Sequence, residues 1–113
     1  MTTRLTCVAV ENSTFIVRVS FTDEDGVAEI PTAITWTLTD EADTVVNART
    51  AVVIAIPAAT NDIVLSGLDL ALSGYVGVER LLTIEATYTS ALGAGLPIKA
   101  EAWFTIEPLV SVP

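Results

Sequence analysis

The chain has 113 residues, enough for one ordinary domain and too few for two, and residues 1–113 therefore read as a single unit. It carries five cations (Arg4, Arg18, Arg49, Arg80 and Lys99) against 14 acids and no histidine, a net charge of −9. A balance this acidic argues against nucleic-acid binding, which needs a basic stripe to neutralise phosphates. At the same time 51% of residues are hydrophobic and only 17% are charged, against about 25% charged in an average soluble domain. An interior absorbs only part of such an excess, so part of the outer surface is expected to be covered by further copies of the chain or by another protein.

At the N-terminus, Met1 to Arg4 carries a charge, but Thr6 breaks the apolar stretch that follows and Glu11 ends it. No secretory leader is expected there, and no window approaches the roughly 18 apolar residues of a membrane helix. Cys7 is the only cysteine, so an intramolecular disulfide and a Cys/His zinc site both lack ligands. It reads as a small buried apolar side chain. Thr3 to Val10 is the first candidate strand.

From Phe15 the pattern is sharper. Phe15, Val17, Val19 and Phe21 alternate with polar Arg18 and Ser20, the period of a half-buried strand. An acidic cluster, Asp23-Glu24-Asp25-Gly26, follows directly. Ile34, Trp36 and Leu38 then repeat the alternation with Thr35, Thr37 and Thr39 on the other face, and a second cluster follows, Asp40-Glu41-Ala42-Asp43. Trp36 is expected to be the largest contributor to the core.

Each cluster has two readings. Asp23, Glu24 and Asp25 offer hard oxygen ligands to calcium, but they lack the alternating ligands, sixth-position glycine and distal glutamate of a calcium-binding loop. As turns they need nothing further: aspartate bonds back to its own backbone, and Gly26 supplies a left-handed residue. The second cluster has no glycine, so its turn is either wider or places Asp43 in the left-handed region. The turn reading is preferred, and no metal or other cofactor is expected.

Shorter candidates come next: Thr44 to Val46, Val52 to Ile56 and Asn61 to Leu65, with Pro31 and Pro57 marking ends or edges. Ser66 to Gly74 is the one place where a single helical turn fits. Leu82, Ile84, Ala86 and Tyr88 then alternate with Leu81, Thr83, Glu85 and Thr87, which places Tyr88 in the core with its hydroxyl at the sheet end. Ser90 to Pro97, with two glycines and a proline, reads as a long hairpin loop. Beyond it Ile98, Ala100, Ala102, Phe104 and Ile106 face inward. Trp103 falls on the opposite face, suited to packing beneath a terminal arm or to an interface. Residues 107–113 read as an extended tail whose Leu109, Val110 and Val112 suit addition to a neighbouring sheet edge.

About seven or eight short strands at roughly 8–12-residue spacing predict an all-β, two-sheet antiparallel sandwich, with a barrel as the alternative. The catalytic inventory is poor. There is no histidine, nucleophile elbow, phosphate loop or HExxH pattern, and the acids lie in turns and on outer faces rather than as a facing pair. An enzyme is not expected. An adhesive, carbohydrate-binding module needs a cluster of exposed aromatics, for which only Trp103 is a candidate.

The stretches FTDEDG to Gly26, PTAITWTLTD from Pro31 to Asp40, VVN ending at Asn47, DIVLSGLDL from Asp62 to Leu70 and ERLLTIEATYTS from Glu79 to Ser90 together resemble the small immunoglobulin-like structural proteins of tailed bacteriophages. The paired cysteines of antibody domains are missing, and Leu68 and Tyr75 only loosely follow a tyrosine corner, with Gly77 breaking the alternation after it. The resemblance implies an immunoglobulin-like sandwich in a virion assembled in the host cytoplasm. It implies capsid decoration or cementing, with a neck or tail component as the alternative. The implied partners are the major capsid protein and further copies of the chain, in a homo-oligomer or bound to the capsid lattice.

Overall fold

The computed structural model describes residues 2–4, 9–23, 25–72 and 78–108, the first three by backbone alone. Among the described residues eight strands carry the fold: β1 (Thr2–Arg4), β2 (Ala9–Val10), β3 (Thr14–Ser20), β4 (Ala33–Asp40), β5 (Val52–Val53), β6 (Thr60–Ser66), β7 (Val78–Ser90) and β8 (Gly93–Glu107). The larger sheet runs in the order β1-β8-β7-β4-β5, with β2 also on β8, and β3 and β6 form a sheet of two.

The inward sets anticipated from the period-two pattern meet in one core. Ile34, Trp36, Leu38, Leu82, Ile84, Ala86, Ala102, Phe104 and Ile106 come from the larger sheet, and Val17, Ile63 and Leu65 from the smaller, with Phe21 just beyond β3. Alternation produces this because one face of each strand loses contact with water while β-branched threonines suit the other. Phe15, half-buried, joins the sheets by stacking on Phe104 at 4.9 Å between ring centroids.

The sheets are not wholly antiparallel. β1 and β2 both run parallel to β8, Thr2 beside Glu101 and Ala9 beside Ile106, so the larger sheet is mixed. The two N-terminal strands keep different registers on β8: from Arg4 to Ala9 the chain advances five residues while β8 advances three, from Trp103 to Ile106. That mismatch breaks a single register. A parallel edge carries no local turn signature, because its two strands are joined through the whole domain rather than through a hairpin.

Of four shorter elements, three depart from expectation and the helical turn keeps it. Thr44–Val46 reduces to one bridge between Thr39 and Val45, and Val52–Ile56 to two residues of β5. The helical turn is a 3-10 turn, Gly67–Leu70. Ser90 to Pro97 is not a long loop. The reversal takes only Ala91 and Leu92, and β8 begins at Gly93. Gly95 has a φ of +64° inside the strand, and the β7–β8 pairing shifts register between Tyr88 and Ser90. These glycines serve an irregular, twisted hairpin rather than a loop. Tyr88 is half-buried rather than core, because β4 ends its pairing at Thr87 and the hairpin continues beyond it.

Candidate functional site

The two acidic clusters are the same turn built twice. Asp23 Oδ1 accepts the backbone N–H of Asp25 at 2.9 Å and of Val27 at 3.0 Å. Asp40 Oδ1 accepts those of Ala42 at 2.9 Å and Thr44 at 3.0 Å. In both, the closing pair is bonded from the aspartate N–H to the carbonyl four residues on, at 2.8 Å for Asp23 and 3.0 Å for Asp40. The left-handed position is Gly26, φ +78°, in the first and Asp43, φ +64°, in the second. Each is a three-residue hairpin connection that ends on a left-handed residue. One oxygen of each leading aspartate is thus committed to backbone donors.

The turns lie at opposite ends of β7. Asp40 pairs with Arg80, whereas Asp23 and Asp25 line a cleft with Thr89 and Ser90. Thr89 lies nine residue steps beyond Arg80 along β7, about 30 Å, so no single ion bridges the clusters. Among the described residues no group of three or more Asp, Glu, Cys or His side chains is placed to hold a metal.

A buried polar centre lies between the sheets, and its residues were not singled out by the sequence. Asp69, fully buried in the 3-10 turn, accepts hydrogen bonds at Oδ1 from Arg49 Nε at 2.8 Å and Asn47 Nδ2 at 2.9 Å. Its Oδ2 accepts the Ser66 N–H at 3.1 Å and Arg49 Nη2 at 3.4 Å. Burial by itself pushes this carboxyl up, but the bonds from Arg49, Asn47 and Ser66, with the Arg49 charge, outweigh it and hold Asp69 below the ordinary aspartate value. Arg49 also lies over the Trp36 ring, 6.0 Å from its centroid.

The backbone explains why both donors arrive together. Leu38 N–H donates to the Arg49 carbonyl and the Leu38 carbonyl accepts the Val46 N–H, both at 2.9 Å, clamping the segment to β4. Between them Asn47 and Ala48 have φ of +52° and +56°, and Arg49 N–H returns to the Val46 carbonyl. That is a type I′ turn. The available sequence clue was Asp69 itself, an acid between two leucines in a segment too short to keep it in water.

Arg80, which is buried, as Glu11 and Asp69 are, lines a cleft of about 370 Å³ together with Asp40, Glu41, Leu72 and Val78. Its Nη2 donates to the Ala71 carbonyl at 2.9 Å and its Nη1 to the Glu79 carbonyl at 3.4 Å, while Nε has no protein acceptor. Burial lowers its pKa, against the opposing pull of Asp40 and Glu41. Arg80 is thus a fixed charge closing one end of the core.

Of the side chains proposed for contacts, Trp103 lies on the outer face of β8, half-buried, level with Leu81 on β7 and Arg4 on β1. Leu109, Val110 and Val112 fall outside the described residues, as do Cys7 and Tyr75. The surface is apolar elsewhere: Ile16, Val27, Ile30, Val53, Ile56, Val64, Leu68 and Leu92 are all more than half exposed. No described aromatic side chain is exposed to that degree. Comparison with protein families, with curated proteins and with solved structures finds no match to this chain.

Proposed function

We propose that the protein is a non-enzymatic structural component of a tailed-phage particle, an immunoglobulin-like sandwich that works by burying apolar surface against neighbouring proteins. The observation that carries the reading is the distribution of exposed apolar side chains. Leu92 lies at the tip of the β7–β8 hairpin, Ile16 and Val64 on the outer face of the smaller sheet, and Val27 and Ile30 in the connection between β3 and β4. A molecule measuring 53 × 25 × 24 Å with such groups on separate surfaces suits contact with several neighbours at once.

The immunoglobulin-like reading is supported by the strand arrangement, a β3–β6 sheet across one core from a β8-β7-β4-β5 sheet with the N-terminal strands on the β8 edge. The most polar chemistry is occupied in holding the fold: Asp23 and Asp40 in turns, Asp69 by Arg49 and Asn47. Capsid decoration is the placement we favour, with the major capsid protein and further copies of the chain as partners. Quantitative mass spectrometry of purified particles tests it. Hundreds of copies per particle are the expected result, a ring-like count near six or twelve would move the protein to the neck or tail, and absence would overturn the proposal.

A further inference from the structure

We infer that β6 is a homodimerisation edge, pairing antiparallel with β6 of a second copy about a two-fold axis at Val64. The inference deepens the self-association part of the proposed function and does not need the particle. β6 pairs with β3 alone, and among the described residues no strand lies along its other edge. At the two ends of this pair Phe21 N–H donates to the Ala59 carbonyl and Gly67 N–H to the Ser13 carbonyl. The internal ladder therefore falls on odd-numbered residues of both strands, which turns the N–H and C=O of Asp62 and Val64 toward the open edge. The strand, TNDIVLS, has seven regular residues with no proline, lysine or bulge, and its one charged side chain, Asp62, is paired with Arg18 of its own sheet, so little keeps this edge unpaired.

Side chains select both the partner and the register. On the outer face Val64 sits opposite Ile16, Asp62 opposite Arg18 and Ser66 opposite Thr14. A symmetric pair centred on Asp62 sets two carboxylates face to face, and one centred on Ile63 sets each Asp62 against a valine. Centring on Val64 removes both conflicts. It makes a four-residue apolar row, Ile16 and Val64 from each copy, flanked by Asp62 against the Ser66 hydroxyl of the other copy. Each Asp62 keeps its own Arg18, 2.8 Å away, so no like charges meet. Ser66 N–H is already held by Asp69. The main-chain bonds are thus a reciprocal pair at Val64 and one from each Asp62 N–H to the opposite Ser66 carbonyl. An isologous contact of this kind closes on itself and stops at two copies.

Sedimentation equilibrium on the full chain from micromolar to millimolar concentration is expected to show a monomer–dimer equilibrium. Amide hydrogen exchange at Asp62 and Val64 should slow as concentration rises. V64K places two ammonium groups at the axis and is expected to weaken dimerisation by at least about tenfold, whereas V64T, still β-branched, should stay within a few-fold of the parent. Since Val64 is 53% exposed, both variants should keep the parent far-UV circular dichroism. A chain monomeric throughout, an unchanged V64K dimer, or exchange at Asp62 and Val64 independent of concentration would overturn the inference. The exchange measurement uses the unaltered protein and decides the matter if V64K fails to fold.

Discussion

Arg49 Nε lies 2.8 Å from Oδ1 of Asp69, and this contact joins the turn clamped to β4 with the 3-10 turn that follows β6. It connects the two sheets through side chains. Asp69 has no exposure to water while the Arg49 side chain is 40% exposed, so the pair is uneven: the carboxylate depends on its partners, and the guanidinium keeps part of its hydration. Truncation of Arg49 to Ala is expected to cost about 2–3 kcal/mol, below the range for a fully buried pair, because Asn47 and the Ser66 N–H remain. Asp69→Ala should cost about 3 kcal/mol, since it takes the acceptor from three donor groups at once. Urea unfolding of both variants checks the order, Asp69→Ala being the more damaging.

The depressed Asp69 pKa makes this contribution pH-dependent. Its folded value lies below the ordinary one, so the unfolded chain binds more protons in that range and stability rises with pH there. The contribution is fully present above the unfolded aspartate value of about 4 and is lost as pH falls through the lower folded value. Asp62, held down by its hydrogen bond from Arg18, adds in the same direction but is exposed and screened. Unfolding free energies measured from pH 7 to pH 2.5 should fall below about pH 4, and the slope of Asp69→Asn should be shallower than that of the parent.

The turn that delivers Asn47 and Arg49 holds a strained residue. Type I′ turns need two left-handed residues and favour Asn-Gly, yet here Ala48 takes the second position at φ +56°. Left-handed backbone costs a residue with a Cβ about 1–2 kcal/mol. Ala48→Gly is therefore expected to stabilise the protein by about 0.5–1 kcal/mol, after the greater chain entropy that glycine gives the unfolded state. A rise in melting temperature with the Asp69 contacts intact would show that the strain is not required for them.

What the sequence made legible divides along a physical line. Val17, Trp36, Ile84 and Phe104 could be placed inside because a half-buried strand writes its period into its own residues. The paired acidic turns were readable for the same local reason, including Asp43 as the left-handed residue of the second. The parallel placement of β1 and β2 on β8 was not, since their partners lie about a hundred positions away. Nor was the Arg49–Asp69 centre. It depends on a turn of unusual φ around Asn47 and Ala48, with Asn where it often occurs but Ala where glycine would have announced it.

The turn geometry predicts how the acidic clusters respond to substitution and to calcium. Asp23→Ala and Asp40→Ala each remove two exposed side-chain-to-backbone bonds, and each should cost about 1 kcal/mol. Asp43→Gly should relieve strain in the second turn, while Gly26→Ala should introduce it in the first by about 1–2 kcal/mol. Millimolar calcium should leave the melting temperature unmoved; a rise abolished by Asp23→Ala or Asp40→Ala would instead mark the turn concerned as a cation site.

The two tryptophans should separate cleanly. Trp36 is 7% exposed, stands between Ile84 on β7 and Val52 on β5 in the sheet, and lies beneath Arg49. Its replacement by alanine opens a large cavity between the two strands, at a cost of about 3–5 kcal/mol. Trp103 is on the outer face, level with Leu81, and only half-buried, so Trp103→Ala should cost less, about 1–2 kcal/mol. Acrylamide quenching gives a second readout, because the variant that retains only Trp103 should be quenched more strongly than the one that retains only Trp36. Trp103 belongs to the outer face of the larger sheet and not to the β6 edge. Its substitution should therefore leave any monomer–dimer equilibrium centred on Val64 unchanged, and a loss of dimer in Trp103→Ala would relocate the contact to that face.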